Sequence, residues 1–254
     1  MKRIVIKVGS GVLSENNEIA KERMMNLVAL IAKLQPRYEV ILVTSGAVAS
    51  GYTELKLDRK ENISKKVLAA LGQPILMSNY KRKFDMFNLS ISQILLTEED
   101  FDSRKRTAIF KDIIDSLLSN GVIPIVNEND ISTTPEQVFG DNDQLSAHVA
   151  FYTDADLLVI LSDIDGYYDK NPKEHSDAML LKEVRTISSE ALTAAHSPTH
   201  AFATGGIVTK LMAAQFLLER EKKMFLCSGY DLSCAETYLL EGVQNAGTLF
   251  SPER

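Results

Sequence analysis

Five short apolar runs recur along the chain: Ile4-Val5-Ile6, Val40–Val43, Val122–Val126, Leu157–Leu161 and Met224–Cys227. None has a polar residue inside it. A strand that is apolar at every position, not at every second one, has both faces buried, as in a parallel sheet covered on two sides. The segments between the runs carry the other period. Met24, Leu27, Val28, Ile31 and Leu34 follow helical spacing, with Pro36 just past the end, and Ala108, Ile109, Ile113, Leu117 and Leu118 do so up to Asn120-Gly121. Further helices are expected over about residues 64–87, 143–152, 207–220 and 233–240, the first kinked or broken at Pro74. Further strands are expected at Ile91–Leu96 and Thr248–Phe250. Strands alternating with helices define an α/β fold, a three-layer αβα sandwich with a mainly parallel central sheet. The polar, loop-rich stretch from Asp169 to His200 reads as a lobe boundary within one domain spanning residues 1–254.

Charge is unevenly spread. From Asp112 to Asp169 the sequence has no Lys or Arg but twelve acids, so all 28 basic residues lie elsewhere, against the other 22 of the 34 acids. With 45% hydrophobic and 24% charged residues the chain can build a globular core and is not of disordered composition. A net charge of −6 without a sustained basic stripe argues against nucleic-acid binding. The apolar runs are too short to span a bilayer, and Lys7 ends the first one too early for a signal peptide. Cys227 and Cys234 alone make neither a disulfide framework nor a zinc pattern, so a cytoplasmic location without membrane attachment is expected.

Open α/β sheets bind ligands beyond the carboxyl ends of their strands. After the first strand comes Lys7-Val8-Gly9-Ser10-Gly11, where glycines let backbone approach a phosphate. It is no dinucleotide fingerprint, since Ser14 stands where a third glycine belongs, and no Gly-Lys pair exists to make a Walker A loop. After the second strand comes Thr44-Ser45-Gly46-Ala47, suited either to an anion or to a plain helix cap. Asn127-Glu128-Asn129-Asp130 and Gly140-Asp141-Asn142-Asp143 crowd carboxylates near one sheet edge, where like charges call for a compensating cation or ammonium group. Ser162-Asp163-Ile164-Asp165-Gly166 follows the next strand, as a turn or a nucleotide loop. Thr204-Gly205-Gly206-Ile207-Val208-Thr209-Lys210 opens a helix, with Lys210 expected in its first turn. His196 and His200 are four apart but have Pro198 between them and no third ligand, so no metal site is expected.

Together these motifs resemble the amino-acid kinase family in its order and over nearly the whole chain. The pairing of Asn127–Asp130 with Gly140–Asp143 points to the branch whose acceptor is glutamate. The resemblance implies the family's fold, with an acceptor-binding lobe over about residues 1–155 and a nucleotide-binding lobe over about 156–254. It implies transfer of the γ-phosphoryl group of ATP, with Mg²⁺, to the side-chain carboxylate of L-glutamate, giving L-glutamyl 5-phosphate, the first step of proline biosynthesis. Lys7 and Lys210 would then contact the transferring group, Gly9 and Ser10 would lie near the phosphates, and Asp143 would orient both lysines. Ser45, Asp130, Asp141 and Asn142 would bind glutamate. Ser162, Asp163 and the run Thr204, Gly205, Gly206, Ile207, Val208, Thr209 and Lys210 would hold the nucleotide. Feedback inhibition by proline, a homo-oligomer and a channelling partner, glutamate-5-semialdehyde dehydrogenase, are implied in the same way.

The sequence departs from the family pattern in three places. Many members continue into a C-terminal RNA-binding-like (PUA) domain, which a chain ending at Arg254 is expected to lack; Ile207 replaces a commoner Met; and Asn171 precedes Pro172 where Asp is usual. The rival readings are a related kinase acting on N-acetylglutamate, aspartate, carbamate or UMP, and a non-catalytic nucleotide or amino-acid sensor. Acids at Asp130 and Asp141 favour an ammonium-bearing acceptor over UMP, and Lys7, Asp143 and Lys210 together disfavour a sensor.

Overall fold

The computed structural model describes residues 1–15, 18–58, 61–133, 142–193 and 205–253. The chain starts with β1 (Lys2–Val8), a four-residue helix α1 (Ser10–Leu13) and a small hairpin, β2 (Ser14–Glu15) and β3 (Glu18–Ile19). It continues through α2 (Lys21–Leu34), β4 (Tyr38–Val43), α3 (Ala47–Glu54), α4 (Asn62–Asp85), β5 (Ser90–Leu96), α5 (Arg104–Ser119) and β6 (Val122–Glu128). Then come α6 (Asn142–Tyr152), β7 (Leu157–Ser162), β8 (Glu183–Val184), α7 (Ser189–Thr193), α8 (Gly205–Leu218), β9 (Met224–Ser228), α9 (Ser233–Glu241) and β10 (Thr248–Phe250).

Eight of the described strands form one sheet in the order β5-β6-β4-β1-β7-β9-β10-β8. The first six run parallel; β10 lies antiparallel to β9 and carries β8 along its outer edge. β1 sits in the middle, with Lys7 opposite Val43 of β4 on one side and Ile160 of β7 on the other. The chain leaves β1 towards β4 and returns to it only at β7, which makes β1 the topological switch point where such sheets open a crevice.

The continuous apolar runs divide between two cores by the period of the strand. Ile4, Ile6, Val8, Val40 and Leu42 pack with Leu27 and Ile31 of α2 and with Leu76, Tyr80 and Phe84 of α4. Val5, Ile41, Val43, Leu158 and Ile160 pack on the opposite face with Ile114 of α5, Leu145 and Val149 of α6, and Leu211 of α8. Lys7 shares the parity of Val5, so its side chain enters the α6–α8 layer. The three-layer sandwich read from the sequence is the observed fold. No helix among the described residues is long and apolar enough to cross a membrane.

Two local expectations change. Pro74 does not break its helix: α4 runs unbroken from Asn62 to Asp85. Pro74 and Ala70, whose carbonyl loses its partner, are both exposed, so that carbonyl lies on the solvent side of the helix. The two glycines before Ile207 lie inside α8, not ahead of it, and Lys210 falls in its second turn.

α3 and α4 cross at backbone contact. A Cβ at Gly72 would stand 1.8 Å from the Ala47 carbonyl oxygen, and one at Gly51 2.0 Å from that of Leu68. Neither obstacle is a flexible side-chain tip, so the helices would have to separate. Gly72→Ala is therefore expected to cost at least about 2 kcal/mol, towards the severe end of overpacking, whereas Gly121→Ala, strained by a φ of 71° but with open space around it, should cost about 1 kcal/mol. Equilibrium urea unfolding of both variants checks the order.

Candidate active site

The carboxyl end of β1, the N-terminal turn of α6 and the second turn of α8 bring three buried charges together. Asp143, the second residue of α6, is fully enclosed, and Lys7 and Lys210 are nearly so. Lys7 Nζ donates to Asp143 Oδ1 at 2.5 Å, and Lys210 Nζ to Oδ2 at 3.1 Å. Thr209 Oγ1 donates to the same Oδ2 at 2.9 Å, and Lys210 Nζ also reaches back to the Gly206 carbonyl oxygen at 2.8 Å. Burial alone would raise the Asp143 carboxyl; the two ammonium groups, with the Lys7 and Thr209 hydrogen bonds, outweigh it and hold the group below the usual carboxylate range. Asp143 thus holds the ammonium groups of Lys7 and Lys210 at one point.

Beside the triad lies an amide cradle. Asn142, first residue of α6, points its Nδ2 at the Thr44 carbonyl oxygen (2.6 Å), Ser45 Oγ (2.9 Å) and Asn127 Oδ1 (2.9 Å). The backbone N–H of Glu128 donates to that same Asn127 oxygen, and Asn127 Nδ2 donates to Gln73 Oε1, each at 2.9 Å. Gly46, at φ 108°, turns the chain from β4 into α3, a left-handed bend that suits glycine. Behind it the buried Tyr80 hydroxyl meets Thr44 Oγ1 at 2.7 Å, and burial pushes that phenol above its ordinary value.

The cradle opens onto a cleft of about 690 Å³, lined among others by Ser10, Gly11, Ser45, Glu128, Asp130 and Asn142. Asp130 is half-buried there; desolvation raises its carboxyl, its own backbone N–H works against that, and Lys66 lowers it only as a lesser influence. Lys66 Nζ is engaged by the Ile131 and Thr133 carbonyl oxygens at 3.1 and 2.7 Å. A desolvated carboxylate facing a cleft favours a cationic ligand.

Of the residues singled out in the sequence, Lys7, Asp143 and Lys210 meet, as do Ser45 and Asn142, with Asp130 on the same cleft. Asp141, Thr204, His196 and His200 lie outside the described residues. The Gly9 N–H is committed to the Leu161 carbonyl oxygen at 3.0 Å, whereas Ser10 and Gly11, in α1, line the cleft. Ser162 is buried and its hydroxyl donates to Asp163 Oδ1 at 2.9 Å. Ile207 and Val208 pack into the second core, and Gly206 presents its carbonyl to Lys210. Asn127, Gln73 and Tyr80 were not assigned roles from sequence. Asn127 stood inside a motif that marked it, but no spacing links Gln73 or Tyr80 to residues more than 30 positions away.

The family model described as "Amino acid kinase family" matches residues 2–228, and the chain belongs to that family. Within it, the chain falls in the glutamate 5-kinase branch. It is 54% identical to the glutamate 5-kinase of Wolinella succinogenes over 98% of each chain, and 50% identical to that of Helicobacter hepaticus over 98% of this chain and 95% of the relative. Among solved structures, a carbamate kinase from Giardia lamblia bound to AMP-PNP superposes with a TM-score of 0.67 at 18% identity, covering 99% of each chain, which speaks for the fold.

Asp143→Asn would leave two buried ammonium groups facing a neutral amide. The expected loss is about 3 kcal/mol at pH 7. Because the folded-state value of Asp143 lies below its unfolded value, this contribution is complete above about pH 4 and fades as pH falls through the folded value. Urea unfolding of both proteins at pH 7 and at progressively lower pH should show the gap narrowing below about pH 4.

Proposed function

We propose that the chain transfers the γ-phosphoryl group of ATP to the side-chain carboxylate of L-glutamate, forming L-glutamyl 5-phosphate for proline biosynthesis. The observation that carries this reading is the convergence of Lys7 and Lys210 on the buried Asp143, next to a cleft bearing Ser45, Asn142 and Asp130. A carboxylate is deprotonated at neutral pH, so the acceptor needs no general base. The barrier lies in bringing two anions together and in the charge spread over the moving group, which positioned cations relieve.

In this reading Lys7 and Lys210 neutralise the phosphoryl oxygens while Asp143 keeps their ammonium groups aimed. Ser45 and Asn142 orient the amino acid; with Nδ2 committed to the cradle, Asn142 offers its Oδ1. Asp130 receives the ammonium group, with Asp141 near it. Gly9 and Ser10 lie at the phosphates. Ser162, Asp163 and Thr204 to Lys210 flank the nucleotide, so residues of about 1–155 handle the acceptor and 156–254 the nucleotide.

Mg²⁺ would be carried by the polyphosphate. Both Asp143 oxygens are taken, and no cluster of three ligating side chains occurs among the described residues. Such an ion is ordinarily held by substrate phosphates and water with few protein ligands, and it supplies charge neutralisation when bound.

The remaining partners follow from chemistry. Proline shares the ammonium and α-carboxylate of glutamate, so a cleft with Asp130 and Asn142 would admit it as a feedback inhibitor. An acyl phosphate hydrolyses readily, which favours handover to glutamate-5-semialdehyde dehydrogenase in the cytoplasm. Ile63, Val67 and Leu71, exposed at four-residue intervals on α4, favour a homo-oligomer.

Hydroxylamine trapping with an acceptor panel tests the reaction. Hydroxamate should form from glutamate with ATP, and not from aspartate or N-acetylglutamate; the reverse selectivity would reject the assignment. Lys7→Ala and Lys210→Ala should each lower kcat by about 10²- to 10³-fold, the usual loss for a charge-stabilising group, and turnover near wild type in either folded variant would reject those roles.

A further inference from the structure

We propose that Gln73, on α4 and outside the cleft lining, is a positioning residue for the acceptor pocket, acting through Asn127 on Asn142. The inference rests on the reading that the cleft binds glutamate. The Asn127 side chain is 3% exposed. Its oxygen is consumed by two donors, the Glu128 N–H and Asn142 Nδ2, so its amide orientation is set and its Nδ2 must find an acceptor. Gln73 Oε1 is that acceptor, at 2.9 Å, and Gln73 is in turn held by donating from Nε2 to Gln93 Oε1 at 3.1 Å.

Gln73 and Tyr80 are seven residues apart and so share one face of α4. Both reach the cradle from behind, Gln73 through Asn127 and Tyr80 through Thr44. The close approach of α4 to α3 at Gly72, the residue before Gln73, fixes the height from which the Gln73 side chain extends. Without its acceptor, a buried Asn127 amide has one inexpensive escape: rotate towards water and release Asn142. Asn142 would then lose one of the three acceptors that place it beside Ser45, loosening the amino-acid subsite. The side-chain hydrogen bonds of Asp143 and Lys210 run to Lys7, Thr209 and the Gly206 carbonyl rather than to this relay.

The experiment measures steady-state kinetics for both substrates. Gln73→Met keeps length and helix propensity but removes the acceptor; it should raise the glutamate KM about ten-fold, the scale of one lost buried hydrogen bond, with the ATP KM and kcat within about two- to three-fold of wild type. Gln73→Glu restores an acceptor and should return the glutamate KM close to wild type. An unchanged glutamate KM in Gln73→Met, an equal rise for both substrates, or no rescue by Gln73→Glu would overturn the inference. If Gln73→Met fails to fold, Gln73→Lys carries the same test, since an ammonium also offers no acceptor. Wild-type protein that makes no hydroxamate from glutamate rejects the underlying reading before any variant is compared.

Discussion

A carboxylate taken wholly out of water loses several kcal/mol of hydration, and only well-placed partners restore it. Asp143 is in that position, and its partners come from far apart in the chain: Lys7 lies 136 residues before it and Lys210 67 after it. The clamp therefore ties the central strand, the first turn of α6 and the second turn of α8 to one point. The sheet serves this arrangement by setting β1 between β4 and β7, where neither neighbour offers a charge at the Lys7 level: Val43 and Ile160 flank it. The same arrangement that stabilises Asp143 gathers two ammonium groups where a phosphoryl group would have to pass, so one interaction serves both folding and the proposed chemistry.

The acid-rich middle of the chain gains a physical meaning from the fold. Its acids are met from outside at both ends of the sheet. At the carboxyl end Lys7 and Lys210 hold Asp143. At the amino end the Arg3 guanidinium reaches Glu39 and Asp115, its backbone N–H donates to Asp156, and Lys222 pairs with Asp154. Those lower pairs are partly exposed and each contributes about 1 kcal/mol or less. Among the described residues, Asp115, Asp143 and Asp154 of the acidic stretch pair with bases from outside it, and Asp156 accepts from the Arg3 backbone.

The layers of the fold were legible because strand burial writes itself into sequence as unbroken apolar runs, and helix burial as a 3.6-residue period. The candidate site was legible wherever chemistry-bearing residues cluster locally, as in Asn127–Asp130 or Gly206–Lys210. Pro74 misled because propensity rules describe a helix alone, whereas this proline sits on the wet side of a helix held by packing. Gln73 and Tyr80 were invisible for the opposite reason. A glutamine and a tyrosine at helical spacing look like any half-buried face, and their targets, Asn127 and Thr44, come close only through tertiary packing. The commitment of the Gly9 amide to Leu161 was hidden similarly, because strand neighbours distant in sequence cannot be read from a glycine pair.

The central place of β1 also has a consequence for how the molecule comes into being. In order of synthesis β1 pairs on one side with residues 38–43, which soon follow it, but on the other with residues 157–161, which are made much later. Until then one edge of a largely apolar strand stays unpaired, and the Lys7 ammonium has no counter-ion from α6. Non-local pairing of this kind slows folding and exposes apolar edges to other nascent chains. The helices that can cover β1 in the meantime are α2 and α4, although that core is completed only when Val159 and Leu161 of β7 and Phe225 of β9 join it. One face of β1 can thus be covered early, while its second edge waits for β7.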